Sequence, residues 1–219
     1  MRMLLERERA ALCETGRKMV ASGLVMGSSG NVSVRAGELV AVSPGGMMLD
    51  RMAPEDCPVL DKHGRVVDGA RAPSSETPMH LAVYEVSDAT AIVHTHSTYG
   101  AVVATTMTEL PPVHYNTLAL GGVVKVAAYA TYGTPELAAN VRAALQGGKW
   151  GDMYAALMAN HGGVTLGHDL EHAYENARLL EWLCSVYVQA RAIGEPRVLT
   201  EEELQRVVER GLTPPGYRA

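Results

Sequence analysis

Two histidines separated by one residue are the first candidates for chemistry in this sequence. His94 and His96 flank Thr95 at the end of an apolar run, residues 91–93, which has the length and composition of a buried strand. On a strand, side chains two residues apart point to the same face, whereas on a helix they diverge by about 200°. A strand here predicts that both imidazoles reach one ion; the alternative is two polar residues at a strand end.

A third histidine and a carboxylate are further candidate ligands for the ion that His94 and His96 are predicted to bind. His161 follows a predicted strand over residues 154–159 and precedes Gly162 and Gly163, and glycines permit a close approach of the backbone to a ligand. Glu76 stands where a helix is predicted to begin. Three histidines and one carboxylate suit a divalent transition metal in a four-coordinate site, and we expect zinc, Zn²⁺. If the carboxylate leaves, the ion gains an open position for substrate.

A second histidine motif indicates a different chemistry. His168, Glu171 and His172 match the H-x-x-E-H pattern of zinc peptidases, in which two helical histidines bind the ion and the glutamate acts as base. The motif lies at the predicted start of a helix with a charged face, so a solvated surface is the simpler interpretation. A zinc peptidase and a non-catalytic metal-binding module stay open as alternatives. His80, one helical turn after Glu76, is predicted to pack in the core or to support the site.

Three short turns rich in serine and glycine suit the binding of an anion. They are residues 29–31, residues 43–46, and Ser74 with Ser75. Backbone N–H groups and hydroxyls in such turns bind phosphate, particularly beside a helix N-terminus, although each turn alone is more often an ordinary one. None has the spacing of a nucleotide-binding loop. Beside the predicted metal site, these turns favour a small phosphorylated metabolite as substrate.

Composition narrows the class of protein. The chain has 219 residues, 47% of them hydrophobic and 20% charged, which predicts one soluble globular domain over residues 1–219. A net charge of −5 with scattered Lys and Arg argues against nucleic acid as a partner. No apolar stretch approaches the roughly 20 residues of a membrane-spanning helix, so no membrane partner is expected. The amino terminus lacks the pattern of a secretory signal, and we expect a cytoplasmic protein.

The predicted elements interleave helices and strands along the chain. Helices are predicted from about residue 4 to residue 24 and from residues 74–78 onward. A further helix is predicted to follow His96 and to continue through residue 104, and others over 135–145, 170–193 and 201–210. Hairpins are predicted over residues 32–42 and 59–67, and further strands over 113–120, 123–128 and 154–159. Gly162 and Gly163 are predicted to break the last of these strands. Without a repeat or a linker, the pattern predicts one α/β domain.

Six motifs occur in the order and approximate spacing of a known enzyme family. They are residues 29–35, 74–76, 94–96, 114–115, 129–134 and 160–162. From about residue 5 to residue 210 the chain resembles the class II sugar-phosphate aldolases of the fuculose-phosphate aldolase and ribulose-phosphate 4-epimerase superfamily, with the fuculose-phosphate aldolases as the nearest branch. The resemblance implies a mixed, mostly antiparallel central β-sheet flanked by helices on both faces, and a homotetramer.

The resemblance also implies roles for individual residues at the metal. His94, His96 and His161 resemble the zinc-binding histidines of the family. Glu76 resembles the carboxylate that ligates the resting metal and then swings away to act as base. A phosphate pocket is implied for a set of small residues, namely Ser29, Gly30, Asn31, Gly46, Ser74 and Ser75.

Two tyrosines complete the set of residues for which the resemblance implies a role in catalysis. Tyr115 matches a tyrosine that protonates the developing alkoxide across a subunit boundary, and Tyr217 corresponds to a mobile carboxy-terminal tyrosine. The implied reaction is the reversible cleavage of a ketose 1-phosphate resembling L-fuculose 1-phosphate. Its products are dihydroxyacetone phosphate and a small aldehyde, formed through an enediolate.

One departure and three rival activities bear on this expectation. Where the aldolases often read T-P-T-G, this chain has Ser43, Pro44, Gly45 and Gly46, which removes a hydroxyl from the expected phosphate site. Within the superfamily, a 4-epimerase, a methylthioribulose-phosphate dehydratase and a four-carbon acid-phosphate decarboxylase share the scaffold. Tyr115, together with a tyrosine-bearing tail, favours the aldolase.

Overall fold

A nine-stranded mixed sheet forms the centre of the computed structural model, which describes residues 3–211. The strands are β1 Asn31–Ala36, β2 Leu39–Val42, β3 Val59–Asp61, β4 Val66–Asp68, β5 Ala91–Thr95, β6 Glu109–Leu110, β7 Val124–Ala127, β8 Ala155–Met158 and β9 Gly162–Gly167. Their order across the sheet is β4-β3-β2-β1-β5-β9-β8-β7-β6. All neighbours are antiparallel except β7 and β8, which are parallel. The mixed, mostly antiparallel sheet is therefore confirmed.

Helices cover both faces of this sheet. Within the described residues they are α1 Glu6–Ala21, α2 Thr77–Tyr84, α3 Thr98–Thr106, α4 Pro135–Ala144, α5 Leu170–Ile193 and α6 Glu201–Glu209. Successive side chains of β5 enter opposite cores, as the period of a strand requires. Val93 packs in one core with Leu12 of α1, and Ile92 packs in the other with Val83 of α2 and Val141 of α4. The predicted α/β fold with helices on both faces is confirmed.

The segment 113–120 is not the strand that its apolar residues predict. It contains a 3₁₀ helix, Tyr115–Leu120, which His114 caps by accepting the Asn116 N–H at 3.2 Å. Gly121, with φ of 91°, ends the turn. The edge strand beside β7 is β6, which the sequence analysis did not predict. A short apolar run has no periodicity that separates a strand from a tight helix.

The predicted strand does end before Gly162 and Gly163, at Met158, but these two glycines also begin a further strand that was not predicted. They open β9, which pairs with β5 on one side and with β8 on the other. A Cβ at Gly162 would lie 2.0 Å from the carbonyl oxygen of Thr95, so glycine is required for this close approach. The position of β9 matters for function, because it brings the preceding residue, His161, to the end of β5. None of the helices in residues 3–211 combines the length and apolar character that crossing a membrane requires.

Candidate metal centre

The end of β5 brings two imidazoles together. His94 lies in β5 and is fully buried, and His96 follows the strand end, where its N–H donates to the Leu24 carbonyl at 2.9 Å. The Nε2 atoms of the two histidines are 3.0 Å apart. Extended backbone thus places the two side chains on one side of the strand, as the two-residue spacing predicts.

His161 and Glu76 reach the same point from other elements. Asn160 adopts a left-handed conformation, with φ of 56°, in the tight turn between β8 and β9, and His161 follows it. The ring centroid of His161 is 4.9 Å from that of His94 and 4.8 Å from that of His96. Glu76 is the N-cap residue of α2. One potential ligand atom from each of the four residues lies within 4.8 Å of the others.

The donor set fits a divalent transition metal. The Nδ1–H of His94 donates to the Gly163 carbonyl at 2.9 Å, so in the neutral imidazole Nε2 carries a lone pair. That Nε2 lies 3.0 Å from Oε2 of Glu76. Oε1 of Glu76 is buried and has no hydrogen-bond partner among the described residues. Lone pairs that face one another in a buried site are compensated by a cation, and three nitrogens with one carboxylate are a donor set that zinc accepts.

The electrostatics of the cluster favour an ionised carboxylate beside a neutral His96, with His94 as the imidazole that the carboxylate stabilises in its protonated form. Burial acts to raise the pKa of Glu76, but His94 and His161 outweigh it and lower the pKa well below its usual range. Burial, with His94 and His161 nearby, lowers the pKa of His96 to about 4. For His94, burial acts to lower the pKa, but the carboxylate of Glu76 outweighs it and raises the pKa. At neutral pH the cluster therefore offers a negative charge and the lone pair of His96 to a cation, and a bound cation takes the place of the proton that Glu76 favours on His94.

The predicted phosphate residues line the same cavity as the metal cluster. This cavity has a volume of about 440 Å³, and its walls include Ser29, Gly30, Asn31, Gly46, Ser74, Ser75, Glu76, His96 and His161. The hydroxyl of Ser29 both donates to and accepts from the backbone of Met26, and the amide of Asn31 donates to Glu76 at 3.0 Å. Their roles toward phosphate stay predictions.

Other residues of the cavity wall had no role in the sequence analysis. Tyr129, Thr131, Tyr132 and Asn160 line it, and both tyrosines are exposed. The motif 129–134 is part of the family resemblance, but it did not indicate which of its side chains face the cavity. A larger cavity of about 540 Å³ lies elsewhere, beside Arg35 and Tyr84, and is lined by His168 but by none of the residues predicted for the aldolase site. The chemistry-bearing side chains favour the smaller cavity as the candidate site.

Tyr115 does not join the cluster within one chain. Its side chain is 44% exposed, and its ring stacks on His114 with centroids 4.4 Å apart. His114 in turn meets the edge of Trp182, at 4.9 Å between centroids. Tyr115 is not among the residues that line the cavity of its own chain. Tyr217, the other predicted tyrosine, lies outside the described residues.

The H-x-x-E-H motif lies at the N-terminal end of α5, where its residues make structural contacts. Asp169 caps the helix by accepting the N–H of His172 at 2.7 Å. Glu171 forms an ion pair with Lys18 at 2.5 Å, and Nε2 of His168 lies 3.1 Å from the hydroxyl of Tyr154. Across residues 3–211, the group of three or more potential ligands is the one at Glu76, not this motif. The geometry therefore gives no support to the zinc peptidase.

Known proteins similar to this chain carry related names. The family described as Class II Aldolase and Adducin N-terminal domain matches residues 10–188. A 5-deoxy-D-ribulose 1-phosphate aldolase of Bacillus thuringiensis serovar kurstaki is 39% identical over 211 residues, covering 95% of this chain and 97% of that protein. The L-fuculose phosphate aldolase of Escherichia coli K12 is 34% identical over 211 residues, covering 94% and 95%. A solved L-fuculose 1-phosphate aldolase aligns with a TM-score of 0.89 at 37% identity, over 95% of this chain and 98% of that one.

Proposed function

The chain belongs to the class II aldolase and adducin N-terminal domain family, and from this we propose that it is a zinc-dependent aldolase acting on a ketose 1-phosphate. It is an enzyme of the lyase class, as its aldolase relatives are. The products of cleavage are dihydroxyacetone phosphate and a small aldehyde. The observation that carries the proposal is the convergence of Glu76, His94, His96 and His161, three of which line a cavity that serine- and glycine-rich turns also line.

Three histidines and Glu76 are the residues that would hold the metal. A divalent cation bound by neutral imidazoles keeps its positive charge and stabilises negative charge that develops on a ketone oxygen. The hydrogen bond from His94 to Gly163 fixes the ring so that Nε2 faces the cluster. The choice of zinc rests on the nitrogen-rich donor set and its four members.

Glu76 is the proposed base. In the synthetic direction it removes a proton from the hydroxymethyl carbon next to the ketone of dihydroxyacetone phosphate. The electron pair left on that carbon forms the new bond to the aldehyde carbon, and the aldehyde oxygen takes up a proton. Because the pKa of Glu76 is lowered by His94 and His161 against the effect of burial, the carboxylate is ionised at neutral pH, which is the form a base requires.

Tyr115 is the proposed source of the proton for the aldehyde oxygen. Its exposure, and its absence from the cavity of its own chain, are consistent with a role in the site of a neighbouring subunit. We therefore propose a homotetramer in which the phenol of one chain completes the cavity of the next. In cleavage the same phenol group receives the proton of the substrate hydroxyl.

The phosphate is proposed to bind at the turns around Gly30, Gly46 and Ser75. Ser75 is exposed, and Gly46 lies in the loop where this chain has glycine in place of the hydroxyl expected at Gly45. Two substrates follow from the named relatives. L-Fuculose 1-phosphate is the first, and 5-deoxy-D-ribulose 1-phosphate is the second, favoured by the higher identity of 39% to the aldolase of that name.

A substrate panel with and without metal tests the proposal. Purified protein is stripped with a chelator and assayed for dihydroxyacetone phosphate release from both ketose 1-phosphates and from their unphosphorylated forms. We expect activity on at least one phosphate ester, loss on stripping, and recovery with added Zn²⁺. Full activity of stripped protein would contradict the metal, and failure to cleave either ester would contradict the substrate class. His94→Ala should lose bound zinc, and His172→Ala, the matched control, should retain it.

A further inference from the structure

Five buried polar side chains form two matched rows behind the metal centre. Glu76, His80 and Tyr84 follow one another at intervals of four along α2 and its N-cap, and Asn31 and Ser33 lie two residues apart on β1. Four helical residues advance about 6 Å, and two strand residues advance about 6.6 Å, so the rows stay in register. None of the five is more than 6% exposed.

The rows interlock through four hydrogen bonds. The Nδ2 atom of Asn31 lies 3.0 Å from Oε2 of Glu76, and the Oδ1 atom of Asn31 lies 2.5 Å from Nε2 of His80. Nδ1 of His80 lies 2.6 Å from the hydroxyl of Ser33, and that hydroxyl lies 2.8 Å from the hydroxyl of Tyr84. The chain of contacts therefore runs from the proposed base to the far end of α2 without an exposed member.

The ionised carboxylate sets the direction of every bond in this chain. A carboxylate only accepts, so the NH₂ of Asn31 faces Glu76 and its oxygen faces His80. His80 must then donate from Nε2, and in the neutral ring Nδ1 accepts the proton of Ser33. With its proton committed to His80, the oxygen of Ser33 accepts from Tyr84. In this arrangement the fully buried imidazole is neutral, with its one proton on Nε2.

We propose that His80 is a positioning residue that fixes the amide of Asn31 and, through it, the carboxylate of Glu76. Ser33 and Tyr84 hold the imidazole from behind. With Oε2 held by Asn31, Oε1 of Glu76 is the oxygen left without a hydrogen-bond partner among the described residues. The chain is not a proton relay, because the amide of Asn31 does not pass protons between its nitrogen and oxygen in this tautomer. The inference rests on the proposed function only in taking Glu76 as the base.

Replacing His80 tests this role with two independent measurements. In His80→Leu, Asn31 loses the donor that fixes its amide. We expect kcat for cleavage to fall about 10- to 100-fold while KM changes less, since His80 does not itself line the cavity. The visible absorption spectrum of the Co²⁺-loaded protein should change as well, because it reports how the carboxylate lies at the ion. His80→Gln, whose amide can donate near the position of Nε2, should restore much of kcat and the parent spectrum.

Further variants separate positioning from simple loss of stability. Asn176→Leu also replaces a buried polar side chain, which donates to the Leu166 carbonyl at 2.9 Å away from the site, and should keep the parent kcat and Co²⁺ spectrum. If His80→Leu does not fold, Ser33→Ala serves instead and should lower kcat in the same direction. Parent values of kcat and spectrum in the folded His80→Leu or Ser33→Ala protein would overturn the inference. Absence of cleavage by the parent itself would instead refute the proposed function, and the Co²⁺ spectra would still decide the role of His80.

Discussion

The reactivity of the site depends on which atoms carry unshared lone pairs. Glu76 accepts the amide of Asn31 at Oε2, and its Oε1, 3.4 Å from Nε2 of His161, has no hydrogen bond among the described residues. His94 commits Nδ1 to a carbonyl and keeps Nε2 for the cluster. Each side chain thus has one atom that orients it and one that is available for chemistry. Replacing the available atom of Glu76 should affect catalysis more than binding of the metal, whereas replacing the available atom of His94 should weaken metal binding itself.

Glu76→Gln is the substitution that isolates the base. The amide keeps the size of the side chain but does not accept a proton at neutral pH, so exchange of the α-proton of dihydroxyacetone phosphate should fall by about 10²-fold or more. Three histidines remain to bind zinc. Proton exchange in D₂O, followed by NMR, and the zinc content of the same sample measure both effects. Glu136→Gln, at an exposed position in the first turn of α4, is the matched control. Unchanged exchange in Glu76→Gln would refute its role as base.

His80 should make the stability of the metal-free protein depend on pH. Burial lowers its pKa from 6.5 to about 3, so the folded state stays unprotonated where the unfolded chain takes up a proton. As pH falls below 6.5, protonation therefore favours unfolding, and this contribution to stability declines until pH reaches the folded pKa. In His80→Gln the free energy of unfolding, from urea titrations at a series of pH values, should fall less steeply below pH 6.5. Equal slopes in the two proteins would contradict a buried neutral imidazole.

Pairing between β5 and β9 assembles the ligands at the level of secondary structure. β5 carries His94, and the turn before β9 carries His161, so the register of this pair sets the distance between the two rings. Two features make the pairing possible: the left-handed conformation of Asn160 and the missing side chain of Gly162. The metal site is therefore sensitive to a residue that itself has no group able to bind the metal.

Gly162→Ala should weaken both the fold and the zinc site. The added Cβ would meet the carbonyl oxygen of Thr95 at 2.0 Å, and backbone atoms cannot turn aside as a flexible side chain can. We expect a loss of about 1–3 kcal/mol in unfolding free energy and weaker zinc binding, because β9 must shift and His161 shifts with it. Urea denaturation and titration against a competing chelator measure the two effects. Gly194→Ala, where a Cβ meets nothing within 4 Å, is the control. Parent-like zinc affinity in Gly162→Ala would show that the close approach is not needed.

The positions of helices and strands along the chain were easier to predict from the sequence than which of them pack or pair with each other. The apolar run 91–93 predicted a strand, which β5 confirms, and on that strand the two-residue spacing predicted that His94 and His96 share a face. The helices predicted over 135–145 and 201–210 are present, and a capping threonine, Thr134 or Thr200, precedes each of them. The identity of β9 was not predictable from its glycines, since glycine is common both where strands end and where backbones approach closely. The link from Asn31 to His80 depends on long-range register, which local spacing does not determine.

At the scale of the molecule, the site draws its ligands from parts of the chain that only the complete fold brings together. Glu76 comes from the α2 side of the sheet, and the histidines come from strand ends at its centre. An unfolded chain does not present this arrangement, so a metal that binds the cluster stabilises the whole fold.

Added Zn²⁺ should therefore raise the melting temperature of the stripped protein. At a free concentration 100 times Kd, binding to the folded state alone contributes about 2.7 kcal/mol, which for a domain of this size corresponds to a rise of roughly 5–10 °C. Differential scanning calorimetry with and without zinc measures the rise. His94→Ala should show a much smaller rise, whereas His172→Ala should behave as the parent. A rise of equal size in His94→Ala would place the stabilising ion somewhere other than the cluster.

Assembly into a tetramer is testable because the proposed site takes Glu76 from one subunit and Tyr115 from a neighbouring subunit. If Glu76 of one subunit works with Tyr115 of a neighbour, Glu76→Gln and Tyr115→Phe each inactivate every site in a pure tetramer, but not in a mixed one. Co-expressing the two variants at equal amounts should restore activity at about one quarter of the sites, since random assembly pairs an intact glutamate with an intact tyrosine at that frequency. Separately purified variants combined without subunit exchange should stay at the low activity of each alone. If both residues served the same chain, no mixture would contain an intact site, so co-expression that restores nothing would contradict the shared site.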